Sequence, residues 1–209
     1  MGSNAKNLAT APRRVTGTLA PYQGPWTKTQ AAHLARRCLF GPTATEIEQL
    51  TSLGFTAAMD QIMTLPSQAP AMPLNSDYPD DPNVPIGTTW VDKLHTPGTP
   101  FRWRRSLRAW WVSLMLHSGT HLREKMTLFW HNHFATGLVI YKDARFAYRH
   151  LELMRSHALG NFKTLVEEMT IDPAMLRFLN GNSNVQGAPN ENYARELFEL
   201  LANHLDILT

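Results

Sequence analysis

The sequence predicts an all-α protein, a single bundle-like domain of about eight or nine helices. In several segments apolar residues recur at spacings of three and four, with capping residues before them and Gly or Pro after them. Strand signals are nearly absent, because the only β-prone triplet, at 139–141, is too short for a sheet. We expect a flexible arm over residues 1–27 and a helical domain over 28–209, interrupted by a Pro-rich loop over 65–100.

The first three predicted helices are short and have clear start and stop signals. Helix formers run through residues 30–39, and a Gly-Pro pair follows them. Thr43 and Glu46 have the spacing of a capping box, which opens a second helix that ends at Gly54. A third short helix is expected over 55–63.

The loop at 65–100 contains eight of the 14 prolines of the chain. Proline lacks a backbone donor and restricts the residue before it, so no regular element can run through this segment. A loop of this length is uncommon inside a compact domain. We favour a surface excursion over the two alternatives, a functional flap and a segment that wraps the domain.

The second half of the chain is predicted to be helical again. Apolar residues of one helix face recur from Phe101 to a break at Ser118. Asp172 followed by Pro173 is typical of an N-cap and the first helical position. The other helices are expected from near His121, over 143–157, over 161–169, over 174–179 and over 191–204.

Composition excludes several classes of protein. The single Cys38 excludes an internal disulfide and any multi-cysteine metal site. The net charge of +3 does not by itself favour nucleic-acid binding. No stretch approaches the roughly 18 apolar residues of a membrane span. The first thirty residues lack the apolar core of a secretion signal, so the sequence leaves localisation undetermined.

The segment 123–134 places His131 and His133 among aromatic residues. On a continuous helix the two histidines lie about 200° apart and cannot bind one ion. Either the helix ends near His131, or the histidines serve different sites, or neither is a ligand. Glu124 and His121 share a helix face with His131, so these three side chains are expected to line one groove.

A second polar pattern lies in the last predicted helix. Glu191 and Arg195 have the spacing of an ion pair within a helix, while Asn192, Glu196 and Glu199 form one stripe. Two carboxylates on one helix face can hold a metal or share a proton. The alternative is an ordinary solvated surface.

Four arginines are interleaved with tryptophans near position 105. Such a segment can bind phosphates or stack on bases, which makes phosphate or nucleic-acid binding one alternative function. The structural alternative is a tryptophan core with a rim of arginines whose stems cover it. The residues are Arg102, Trp103, Arg104, Arg105, Arg108, Trp110 and Trp111.

Our leading hypothesis is a metal-dependent hydrolase whose site forms between the histidine segment and the last helix. A divalent metal ion there would lower the pKa of bound water and generate a nucleophile for a small-molecule substrate. The candidate metal ligands are His131, His133 and Glu191. The candidate catalytic residues are Glu124 or Glu196 as the general base and Arg195 for an anionic group. The alternative is a non-catalytic envelope or assembly module with a buried polar network. A homo-oligomer is compatible with both the hydrolase and the assembly module. Nucleic acid is not a favoured partner.

Five ordered segments together resemble the bacterial domain of unknown function 1800 family. They are residues 33–42, 123–134, 158–162, 172–176 and 189–197. The resemblance implies a mostly helical protein, often exported, with no established activity. It also implies that members continue past the last of these segments, so we expect this chain to be the N-terminal portion of a truncated or divergent member.

Overall fold

The computed structural model describes residues 20–95, 99–138 and 142–202, and this part of the chain contains nine α-helices and no strand. The predicted all-α class is therefore confirmed. Two isolated β-bridges occur, Leu74 with Thr89 and Val185 with Ala188. The β-prone triplet at 139–141 and residues 1–19 of the predicted arm lie outside the described residues.

The first three helices form a small core of their own. They are α1 (Lys28–Cys38), α2 (Ala44–Leu53) and α3 (Phe55–Met63). The predicted capping box is confirmed, since the Thr43 hydroxyl accepts from the Glu46 backbone and the Glu46 carboxylate accepts from the Thr43 backbone. Gly54 separates α2 from α3 at a φ of 79°, a conformation that favours glycine. Small residues of α1 and α3 pack here against Leu50.

The end of the predicted arm is fixed to this core. Trp26 packs against the three helices, and its indole N–H donates to the Leu50 carbonyl at 3.1 Å. Residues 20–25 contain no helix. Helix α1 starts at Lys28, and Trp26 holds the chain in place just before it.

Residues 65–95 contain no helix or strand, but a helix begins at Thr99, inside the predicted Pro-rich loop, and the surface excursion that we favoured is wrong. Trp90 and Val84 are fully buried and belong to the main core. Buried Asp81 accepts hydrogen bonds from the Val84 backbone at 3.2 Å and from the Trp103 indole at 2.9 Å. The described part of the segment wraps the domain because its apolar residues, spaced between prolines, supply core side chains.

Six further helices build the larger part of the domain. They are α4 (Thr99–Leu116), α5 (Arg123–His133), α6 (Ala144–Ser156), α7 (Phe162–Met169), α8 (Pro173–Phe178) and α9 (Glu191–Ala202), with a single 3₁₀ turn at Gly181–Ser183. Helix α6 lies at the centre and contacts α4, α5, α7 and α8. Asp143, Asn161 and Asp172 cap α6, α7 and α8 with their side chains, as the sequence pattern predicts for Asp172.

The main core surrounds α6. Its largest fully buried side chains include Trp90, Trp103, Phe134 and Met154. The indole rings of Trp90 and Trp103 stack at 5.7 Å. Among the described helices, none is long and apolar enough to cross a membrane.

Candidate functional site

Helix α5 ends at His133, with Phe134 as its C-cap, so of the three alternatives the one in which the helix ends before His133 is excluded. Because the helix is regular through both histidines, their side chains leave it in different directions. The His131 ring lies 5.0 Å from the Trp111 ring and 6.1 Å from the His150 ring. The His133 ring instead lies 4.7 Å from the Phe134 ring. The two histidines occupy separate environments.

The third residue of the predicted groove, Glu124, is engaged in an ion pair. Its Oε1 accepts from Arg155 Nη2 at 2.8 Å and from Arg155 Nε at 3.0 Å, and both side chains are buried. Arg155 also donates to Glu152 at 2.9 Å. Burial lowers the pKa of Arg155, but the hydrogen bond to Glu124 and the two carboxylate charges raise it further than burial lowers it. Glu124 therefore faces a charged guanidinium.

His121 lies three residues before Glu124, ahead of the start of α5. Burial and the nearby Arg123 charge lower the pKa of His121. The cavity that His131 lines is bounded by neither His121 nor Glu124. The common groove expected for these three side chains is thus not formed in that cavity.

The charged residues of α9 pair with one another. Arg195 lies 3.0 Å from Glu196 and 3.5 Å from Glu199, and it donates to the Asn192 side chain at 2.7 Å. The predicted Glu191–Arg195 pair is replaced by these contacts. Glu191 is exposed.

Among the described residues, no group of three or more His, Cys, Asp or Glu side chains could hold a metal ion. The predicted ligands His131, His133 and Glu191 all belong to the described part of the chain. A divalent metal at these residues stays a prediction, and so do the catalytic roles of Glu124, Glu196 and Arg195.

A buried His150–Asp172 pair was not anticipated from the sequence. His150 Nδ1 lies 3.0 Å from Asp172 Oδ2, and its Nε2 lies 3.0 Å from the Phe134 carbonyl oxygen. Both neighbours accept hydrogen bonds, and an imidazolium can donate to both. The positive ring then lies at the C-terminal end of α5, while Asp172 caps the N-terminus of α8, which are the favourable ends for these charges.

The sequence does hold a signal for this pair. His150 and Arg155 occupy the apolar face of α6 together with Ala147, Leu151 and Met154, at spacings of three and four. A polar residue at such a position is expected to be buried and therefore paired. The partners, on α8 and α5, cannot be identified from the spacing alone.

His131 is neutral at physiological pH. Burial and then the positive charge of His150 lower its pKa from 6.5 to about 4. The charged form would be poorly solvated and would repel the neighbouring imidazolium.

This shift predicts a pH dependence of stability. As the pH falls from about 6.5 towards 4, the unfolded chain protonates at His131 and the folded protein does not, so folding loses stability. Above pH 6.5 the effect is absent. We measure the free energy of unfolding in urea at pH 7.5 and at pH 4.5, with a chelator present. Between these two pH values the free energy of unfolding should fall by about 2 kcal/mol less for His131→Gln than for the wild type. Equal losses in the two proteins would contradict the lowered pKa of His131.

A cationic cavity lies beside α4. Its volume is about 350 Å³, and Arg104, Arg105, Arg108 and Lys142 line it together with Phe101 and Leu138. We call it the arginine groove. No acidic side chain of the described residues lines it. Asp77 approaches from outside, 3.2 Å from Arg105 and 3.9 Å from Arg102.

The other cations of the groove differ in whether they have a partner. Arg104 donates to the Lys142 carbonyl at 3.0 Å, which fixes its guanidinium. Neither Arg108 nor the Lys142 ammonium has an ion-pair partner among the described residues. Trp103, on the opposite side of α4, is buried as the structural alternative predicts. The tryptophans thus belong to the core or its edge, and the arginines bound a cavity.

A smaller cavity of about 220 Å³ adjoins the arginine groove, and we call it the inner pocket. Arg108 and Leu138 line both cavities. The remaining lining of the inner pocket is mostly hydrophobic, with two histidines. It consists of Leu107, Trp111, His131, Thr136, Ala147, His150 and Leu151.

These features define an all-helical protein with a cationic groove next to a pocket walled by histidines. The chain belongs to the family described as protein of unknown function (DUF1800), whose model matches residues 33–202. The resemblance inferred from the five sequence segments is thereby confirmed. Neither a curated protein nor a solved structure matches the chain.

Proposed function

We propose that the protein binds a small molecule bearing an oxyanion, a phosphate or a carboxylate, in the arginine groove. The observation that supports this proposal is the group of four cations around one cavity, which no carboxylate in the described part of the chain lines. Like charges held close together repel, and a bound anion would relieve that repulsion. Guanidinium groups suit this task because their planar forks match the oxygens of phosphate and carboxylate.

The shape of the site favours a small ligand over a nucleic acid. The cations bound a cavity that would enclose one anionic group, and Asp77 neutralises part of the charge at Arg102 and Arg105. A nucleic acid requires a basic surface that follows several phosphates. The overall charge of +3 is small for that purpose.

Arg108 is the residue to test, because it has no ion-pair partner among the described residues. We expect Arg108→Gln to weaken binding of inorganic phosphate about tenfold, the loss of one charge-assisted interaction. Isothermal titration calorimetry at low ionic strength measures it. A parallel titration with acetate distinguishes phosphate from carboxylate selectivity.

The matched control is Arg37→Gln, which removes the same charge from an exposed position on α1. This variant should bind phosphate like the wild type. Equal weakening by both substitutions would show only a general charge effect, and no weakening by Arg108→Gln would refute the proposed site. The salt dependence of binding distinguishes a nucleic acid from a small anion. If the protein binds oligonucleotides but not phosphate, and the logarithm of that affinity falls with the logarithm of salt concentration with a slope of several units, the partner is a nucleic acid.

The metal-dependent hydrolase is a separate proposal. It requires a metal ion held by His131, His133 or Glu191, and element analysis of the purified protein tests it independently of anion binding.

A further inference from the structure

We propose that the ligand of the arginine groove is an aromatic oxyanion, whose ring enters the inner pocket while its charged group contacts Arg108. This inference rests on the proposed function, because it specifies the rest of the molecule whose anionic group the groove binds. It arises from the juxtaposition of the two cavities, which share Arg108 and Leu138.

The shared wall sets the geometry of such a ligand. An anionic group at the Arg108 guanidinium lies beside the entrance to the inner pocket, so an apolar group attached to it is within reach of that pocket. Inorganic phosphate alone would leave the inner pocket unfilled. A ligand that fills both cavities must therefore join a charged group to an apolar one.

The size of the inner pocket suits one aromatic ring. Its volume is about 220 Å³. An apolar cavity of about 150 Å³ is enough to bind benzene in a protein core. The inner pocket therefore has room for a ring and the first atoms of its link to the oxyanion, but not for a fused ring system with large substituents.

The chemistry of the walls favours an aromatic over an aliphatic group. Leu107 and Leu151 offer apolar contact, and the Trp111 indole offers a surface for edge or face contact with a ring. His150 lies between two acceptors, Asp172 Oδ2 and the Phe134 carbonyl oxygen, and a ring that donates to both of them carries a positive charge in the wall. A cation beside an aromatic face is attractive, whereas it gains nothing from an alkyl chain.

One polar group of Trp111, which lines the inner pocket, makes no hydrogen bond to the described residues. The Trp111 indole N–H is buried and has no hydrogen-bond partner among the described residues. An oxygen that links the ring to the charged group would supply an acceptor for it. His131 contributes a neutral imidazole next to Trp111, so the ring would meet no second competing charge there.

The test compares phenyl phosphate with inorganic phosphate by calorimetry on the full chain. We expect phenyl phosphate to bind at least about tenfold more tightly, because its ring is removed from water. Both affinities should fall when Arg108 is replaced by Gln. Propyl phosphate, with an aliphatic group, should lie between the two.

Variants that fill the inner pocket test whether the phenyl ring of the ligand binds there. Ala147→Leu adds bulk at a residue that lines the inner pocket, and it should bring the affinity for phenyl phosphate to within about threefold of that for inorganic phosphate. The matched control Ala109→Leu adds the same bulk at an exposed position of α4 and should change neither affinity. If Ala147→Leu fails to fold, Leu151→Phe fills the pocket from a second wall position.

The outcomes separate the two proposals. Equal affinities for phenyl and inorganic phosphate, both lowered by Arg108→Gln, would overturn the aromatic ligand and leave anion binding intact. A ring-dependent gain that survives both pocket-filling variants would also overturn it. Absence of any Arg108-dependent binding would refute the proposed function itself.

Discussion

Replacing Arg155 with Met is expected to destabilise the protein by about 3–5 kcal/mol, the largest effect of a single substitution that we predict. Arg155 is the cation of Glu124, and the Glu124 residue is only 2 % exposed. Without the guanidinium, that carboxylate remains buried as an unpaired charge or must take up a proton. Either outcome costs far more than the loss of the ion pair alone. Urea unfolding monitored by circular dichroism measures the change.

The reverse substitution should cost less, because the pair is asymmetric. In Glu124→Gln, Arg155 keeps its contact with Glu152 at 2.9 Å, so the remaining charge is still compensated. We expect a loss of about 1–2 kcal/mol. The double variant Glu124→Met with Arg155→Met should be more stable than Arg155→Met alone, since no charge remains buried.

Arg149→Met is the matched control on the same helix. Arg149 is exposed and lies 3.9 Å from the exposed Asp92, so its replacement should change stability by less than about 0.5 kcal/mol. A loss as large as that of Arg155→Met would show that α6 responds to any charge removal. A loss below 1 kcal/mol for Arg155→Met would contradict the buried pair.

The comparison of Arg155 with Arg149 also explains how much of this fold the sequence could predict. Local signals sufficed wherever a few neighbouring residues decide the outcome, as at the Thr43 capping box and the Asp172 N-cap. They failed where distant packing decides. Trp90, in a segment without periodicity, has no local sign that it stacks on Trp103.

The candidate site shows the same division. The arginines of α4 were noticed in the sequence because four of them are interleaved with tryptophans. The cavity they line also needs Leu138 and Lys142, which come from another part of the chain. The histidines of α5 attracted attention by their proximity in sequence. His150, which shares a cavity with His131, lies 19 positions later and could be found only from the structure.

The second large effect is expected at the His150–Asp172 pair. Asp172 Oδ2 accepts from two donors, His150 Nδ1 at 3.0 Å and the Met175 backbone N–H at 2.8 Å. Asp172→Ala removes the cap of α8 and leaves the buried His150 ring without its anion. We expect a loss of about 3–4 kcal/mol in urea unfolding, the sum of a cap and a buried charge-assisted hydrogen bond.

The cap alone can be measured in the same protein. Asn161 caps α7 by accepting from the Thr164 backbone at 3.1 Å, and it is exposed with no histidine partner. Asn161→Ala should therefore cost only about 1 kcal/mol. The difference between the two alanine variants isolates the interaction with His150. If both lose the same amount, the buried pair contributes nothing beyond capping.

Replacing the histidine instead of the aspartate tests the link between stability and the inner pocket. His150→Phe keeps a ring of similar size but leaves Asp172 buried without a cation and the Phe134 carbonyl without a donor, so a loss of about 3 kcal/mol is expected. Combining it with Asp172→Asn removes the unpaired charge and should recover part of that loss. The double variant also lacks the positive charge in the pocket wall. Suppose that the double variant folds and binds phenyl phosphate as the wild type does. The His150 ring then serves only to join α5, α6 and α8. Such a polar network is structural, as expected of a non-catalytic assembly module.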